Sequence, residues 1–109
     1  FVVGPAVERK LGLSGMSQIA IDANSFYSAE WARDKGLFTK VVEDMETLDE
    51  EVLAFAKNLC NYNPEAMAKM KAMFWKGTED WDSLLIERAQ VSGTLVLSDF
   101  TKETLKRFK

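Results

Sequence analysis

From Thr47 onward, apolar residues recur at three- and four-residue spacing, and the pattern predicts helices only. Leu48, Val52, Phe55, Ala56 and Leu59 make one apolar stripe that ends near Asn61-Tyr62. Thr47-Leu48-Asp49-Glu50 ahead of it fits a capping box, with the threonine bonding the third amide and the glutamate returning to the cap. Asn63 is placed to cap the next helix, with Pro64 in first position, and Met67, Met70 and Phe74 follow one face to Gly77. Thr78 then opens a longer helix through about Leu97, with Trp81, Leu84, Leu85, Arg88, Ala89, Ser92, Leu95 and Val96 on a broad inner face. Gly93 inside it costs about 1 kcal/mol against alanine, and its small size suits close helix contact. Ser98 caps a terminal helix, in which Phe100, Leu105 and Phe108 are apolar and Lys102, Lys106, Arg107 and Lys109 are basic.

The first part of the chain is more broken. Phe1 to Val3 read as extended, and Gly4-Pro5 opens a short helix that Gly12 ends. Ser14 caps a second helix, with Met16, Ile19, Ala20 and Ala23 at helical spacing, and Asn24-Ser25 is a turn. Ser28 caps a further short helix, in which Glu30 comes early and Arg33 late, as the helix dipole prefers. Gly36 stands where a helix ends in a left-handed residue. Leu37, Phe38, Val41 and Val42 then predict one short strand near residues 37–42, closed off by Glu43-Asp44. No second convincing strand follows, so its partner is expected outside the chain. The fold class expected is therefore mainly α. Met67, Met70, Met73 and Phe74 cover more than one helix face, and Ile86, Val91 and Leu97 fall outside the stripe of their helix. Such a surplus of apolar surface points to a partner or a larger body.

Composition narrows the function classes. A chain of 109 residues that is 47% hydrophobic is one ordinary domain or a piece of a larger one, rather than a disordered tail. The apolar start at Phe1 is expected for an internal starting point. A net charge of −3 without a basic block lacks the footprint of a nucleic-acid binder. No run of ~18 apolar residues is present, so no membrane span is expected. Cys60 is the one cysteine, which excludes an internal disulfide and points to a reducing, cytoplasmic setting. Histidine is absent, which removes the usual general base and the commonest metal ligand.

Carboxylate chemistry is what remains, and no pattern singles it out. Glu50 and Glu51 read as a helix start, and Glu43, Asp44 and Glu46 as a solvated turn without the spacing of a hard-cation loop. Trp31, Trp75 and Trp81 read as core or interface, the methionines as gap-filling core, and Cys60 as a small apolar residue. Lys106, Arg107 and Lys109 could reach a phosphate, though a solvated last turn is the simpler reading. The residues themselves specify a helical unit with no catalytic residue, no metal site and no cofactor.

The stretch GPAVERKLG, a following helix, and then SFYSAEWARDKGLFTKVV resemble the C-terminal part of the enoyl-CoA hydratase/isomerase (crotonase) family. Gly4 to Val42 follow the family pattern without an obvious gap, most specifically over residues 29 to 42. Asn63-Pro64-Glu65-Ala66 resembles the start of the next family helix, and Ser98-Asp99-Phe100 with Lys102-Glu103 the approach to its last one. Trp31 stands where the family usually has a small residue, so local packing is expected to differ.

The resemblance implies the C-terminal region of a lyase or isomerase of fatty acid metabolism, built on a spiral of ββα turns. Residues 1–44 would end the catalytic body, and residues 45–109 would form a helical oligomerisation region that packs subunits into trimers or hexamers. The substrate implied is an acyl-CoA thioester, polarised by two backbone amides, with hydratases adding two glutamates as acid and base. All of these would lie upstream of Phe1, so the chain alone is expected to be inactive. Phe1 and Val2 would approach the acyl pocket, although FVV replaces a run that is often glycine-rich in the family. Phe108 and Lys109 would be the nearest matches to an aromatic and a lysine offered to the CoA of a neighbouring subunit. The competing expectation is a free-standing helical protein-interaction module without catalytic activity.

Overall fold

The computed structural model describes residues 1–108, so Lys109 lies outside the described residues. Six helices occur among them: α1 (Gly4–Ile21), α2 (Ala29–Asp34), α3 (Met45–Leu59), α4 (Pro64–Phe74), α5 (Trp81–Val96) and α6 (Asp99–Lys106). The protein is mainly α, and no strand is present among the described residues. It divides into two compact units, one formed by Ser25–Thr78 and the other by Phe1–Asn24 with the chain from Glu79 onward.

In the Ser25–Thr78 unit, α2 is set by its ends. The Ser28 hydroxyl accepts from the Trp31 amide at 3.0 Å, and the Tyr27 ring, just before that cap, packs tilted on Trp31 with centroids 4.4 Å apart. At the other end Gly36 takes φ 89°, which lets the Leu37 amide donate to the Ala32 carbonyl and the Gly36 amide to the Arg33 carbonyl, both at 2.9 Å. This paired closure satisfies carbonyls that the last helical turn leaves open. Ala32, at 7% exposure, is one of the two buried apolar side chains among the described residues.

The strand expected at residues 37–42 does not form. Residues 39–42 make no backbone hydrogen bond among the described residues, and a strand exists only through its ladder to a neighbour. The segment runs instead alongside α3. That helix also starts earlier than expected. Asp44, with extended backbone (φ −145°, ψ 169°), is its cap, and its carboxylate accepts from the Thr47 amide at 2.7 Å. Thr47 therefore lies inside the first turn, and the capping box built on it is not used. Asn63 caps α4 as the sequence indicates, its side-chain oxygen accepting from the Glu65 and Ala66 amides at 2.9 and 3.1 Å. Thr78 does not open α5. Its hydroxyl turns back to donate to the Trp75 carbonyl at 2.7 Å, and the helix begins at Trp81 behind Asp80.

In the other unit, the break expected at Gly12 is a kink within α1, where Gly12 takes φ 72° and ψ 169°. Ser14 sits within the continuing helix, and the hydroxyl that serves the backbone there is Ser17, donating to the Leu13 carbonyl at 2.7 Å. Leu11, at 8% exposure, is the other buried apolar residue, and Gly4 and Gly15 are buried in the same helix. Beyond the kink, the Met16 methyl lies 3.7 Å from where a Cβ on Gly4 would stand, and the Arg88 guanidinium lies 3.8 Å from it. α6 packs on α5: Ser98 caps it through the Thr101 amide at 3.3 Å, and the Thr101 hydroxyl donates to the Leu95 carbonyl at 3.0 Å. Gly93 meets nothing within 4 Å, so no close helix contact uses its small size.

The surface is large for the chain. Its 9348 Å² exceeds the roughly 6,100 Å² expected of one closed globule of this length, and also the roughly 7,400 Å² of two separate globules of half that length. The helices form, but their apolar faces stay largely open.

Candidate functional site

A largely apolar groove lies in the Ser25–Thr78 unit, where the extended segment after Gly36 runs beside α3. Leu37, Phe38 and Val42 line one side and Leu48, Val52 and Phe55 the other, around a groove of about 420 Å³. The closing bonds of α2 fix where this segment starts, since the amides of Leu37 and Phe38 both reach the Ala32 carbonyl. The spacing of Leu48, Val52 and Phe55 places them on one face of α3. Val52 and Phe55 remain 59% and 63% exposed, so the groove is open rather than a core. At its rim the Lys40 ammonium pairs with the Glu51 carboxylate at 2.6 Å, both well exposed.

Around the start of α3 the charge is one-sided. Glu43, Asp44, Glu46, Asp49, Glu50 and Glu51 fall within nine residues that contain no base. Asp44 is engaged as the cap: the Thr47 backbone amide, with help from the Thr47 hydroxyl, holds its carboxyl below the usual carboxylate range. Among the described residues, no three histidine, cysteine, aspartate or glutamate side chains come together as a metal-binding group.

Two further hollows have different characters. One of about 350 Å³ runs along α4 between Met67, Met70 and Phe74. Another of about 390 Å³, in the other unit, is lined by Glu8 and Arg9 of α1 and by Trp81, Leu84 and Arg88 of α5. The linings of these three hollows contain no serine, cysteine or histidine, and the groove beside α3 carries Thr39, Lys40 and Glu51 among its apolar residues. Their chemistry is that of apolar contact with charged rims.

The side chains taken from the resemblance as substrate-binding do not line these hollows. Phe1 and Val2 are exposed ahead of α1, and Phe108 is exposed just past α6. Lys109 lies outside the described residues. The sequence shows only half of the groove beside α3: the helix stripe is evident in it, whereas Leu37, Phe38 and Val42 have the composition of a strand.

Among known proteins, no family model, curated protein or solved structure matches the chain. No helix of the described residues is long and apolar enough to cross a membrane.

Proposed function

We propose that the chain is the C-terminal helical region of an acyl-CoA hydratase or isomerase of the crotonase type, where it packs subunits together and helps to complete the acyl-CoA site. The observation that carries this reading is the set of open apolar faces on α3, α4 and α6, with a surface well above that of a closed fold. Helices with this much uncovered apolar area suit a region that is buried against a catalytic body and neighbouring subunits. The stretch that bears the resemblance most specifically, residues 29 to 42, opens on a helix with a defined start and end, from the Ser28 cap to the Gly36 closure.

In this reading the reaction is carried upstream of Phe1 by two backbone amides and, in a hydratase, two glutamates acting as acid and base. The chain's own contribution is positional. Phe1 and Val2 lead from the body toward the acyl pocket, and Phe108 and Lys109 approach the CoA of a neighbouring subunit in a cytoplasmic trimer or hexamer. Alone, the chain holds the substrate at neither end.

The coding sequence immediately upstream is expected to encode a ββα body with the two glutamates. Protein expressed from that longer frame should turn over crotonyl-CoA in a spectrophotometric assay, and the 109-residue chain should turn over none. An upstream stop with a start codon beside Phe1, or turnover by the chain itself, would overturn the proposal. The first of these outcomes would leave a free-standing helical interaction module.

A further inference from the structure

We infer that the groove beside α3 is the seat for α6 of a second copy of this chain. This rests on the reading that the helical region brings subunits together, and it names which surfaces meet. Three observations on the two elements fit one another.

The first is apolar shape. α6 turns Thr101 and Thr104 toward partial burial, while Phe100 and Phe108 stand 82% and 83% exposed and Leu105 is exposed between them. These are large apolar groups left open on α6, and the groove beside α3 is lined by apolar groups of the same kind. The second is length. An eight-residue helix spans about 12 Å, and the α3 face from Leu48 to Phe55 runs about 10 Å. The third is charge. The α3 stripe is flanked by Asp49 on one side and Glu51 on the other, at the end of the acidic run that begins at Glu43. The apolar edge of α6 is flanked by Lys102 and Arg107, and the segment from Lys102 to Lys109 holds four bases against the single acid Glu103.

The local ion pairs do not cancel this match. Lys102 with Asp99 at 3.6 Å, Lys106 with Glu103 at 2.6 Å and Lys40 with Glu51 at 2.6 Å are all exposed pairs, which contribute little and re-form readily. An α6-to-α3 contact joins two different surfaces. It is satisfied reciprocally in a two-fold dimer or in sequence around a closed ring, such as a trimer.

The test uses two charge-reversed forms of the chain, Lys102→Glu with Arg107→Glu and Asp49→Lys with Glu51→Lys. Each places like charges across the contact when it meets itself, and opposite charges when it meets the other. Molar mass by light scattering or sedimentation should show the unaltered chain self-associating, more weakly at high salt. Each reversed form alone should dissociate, with an apparent Kd raised at least about tenfold. A chain that carries all four reversals together should recover the assembly in a dimer or in a ring alike, and unchanged helical circular dichroism in each form excludes simple unfolding. Three results overturn the inference: an unaltered chain that stays monomeric, as it would if another protein or its own α6 filled the groove; assembly insensitive to both reversals; or no recovery when all four reversals are combined in one chain. None of these bears on acyl-CoA turnover by the longer frame, so this contact and the proposed function fail separately.

Discussion

Gly12 carries a backbone conformation that a side chain in α1 would not tolerate, with φ 72° and ψ 169° in a region that is essentially glycine's alone. Gly93 is the opposite case, an exposed helical glycine with open space where a Cβ would stand. Gly12→Ala should therefore lower stability by roughly 1–3 kcal/mol through strain, and Gly93→Ala should raise it by about 1 kcal/mol through helix propensity. Urea denaturation followed by circular dichroism reads both, and equal effects of the same sign would contradict this assignment. Asp44 makes a prediction in pH. Its carboxyl is depressed below its usual value of 3.8 by the Thr47 amide, so the unfolded chain takes up the proton first as pH falls. The stabilisation is present above the usual carboxylate range and is lost as pH drops through the lower folded value. Asparagine caps as well as aspartate but does not titrate, so Asp44→Asn should flatten this part of the acid limb while the urea midpoint near neutral pH changes little.

At the scale of elements, the local signals were legible and the non-local ones were not. Ser28, Asn63 and Ser98 act as caps, and Gly12 and Gly36 interrupt or end helices, because each effect is decided within four residues of the side chain. The sequence points to Thr47 as the cap and to Asp44 as part of a solvated turn, and the cap falls to Asp44, whose backbone is extended where the chain enters α3. Thr78 was misread because a hydroxyl can serve the turn behind it as well as the helix ahead. The segment 37–42 had strand composition, but pairing depends on a neighbour that apolar alternation cannot supply. The groove followed the same rule: the α3 stripe was evident, whereas its other wall depended on where that unpaired segment lies. Hydrogen exchange should separate these parts. The Leu37 amide, bonded to Ala32, should be protected relative to the amides of Thr39, Lys40, Val41 and Val42, which have no backbone acceptor among the described residues. Comparable protection at Lys40 and Leu37 would mean that the segment is paired after all.

For the whole molecule, open apolar faces imply a small change on unfolding. The heat capacity increment and the urea dependence both scale with the surface newly exposed, so the dilute chain should show a ΔCp per residue below the usual ~12–15 cal/mol/K. Calorimetry giving the full value would require a core that Leu11 and Ala32 alone do not provide. The scarcity of buried side chains also bears on how substitutions would register. In an isolated chain, replacing Val52 or Phe55 removes little that is packed, and a stability screen would score both positions as permissive. If the proposed contact between α6 and the α3 groove forms, the same positions would become restrictive in the assembly, because the contacts they serve would be made only there. On that proposal, mutational sensitivity at these positions is set by assembly, and a map drawn from the lone chain would be blank where the proposed contact lies.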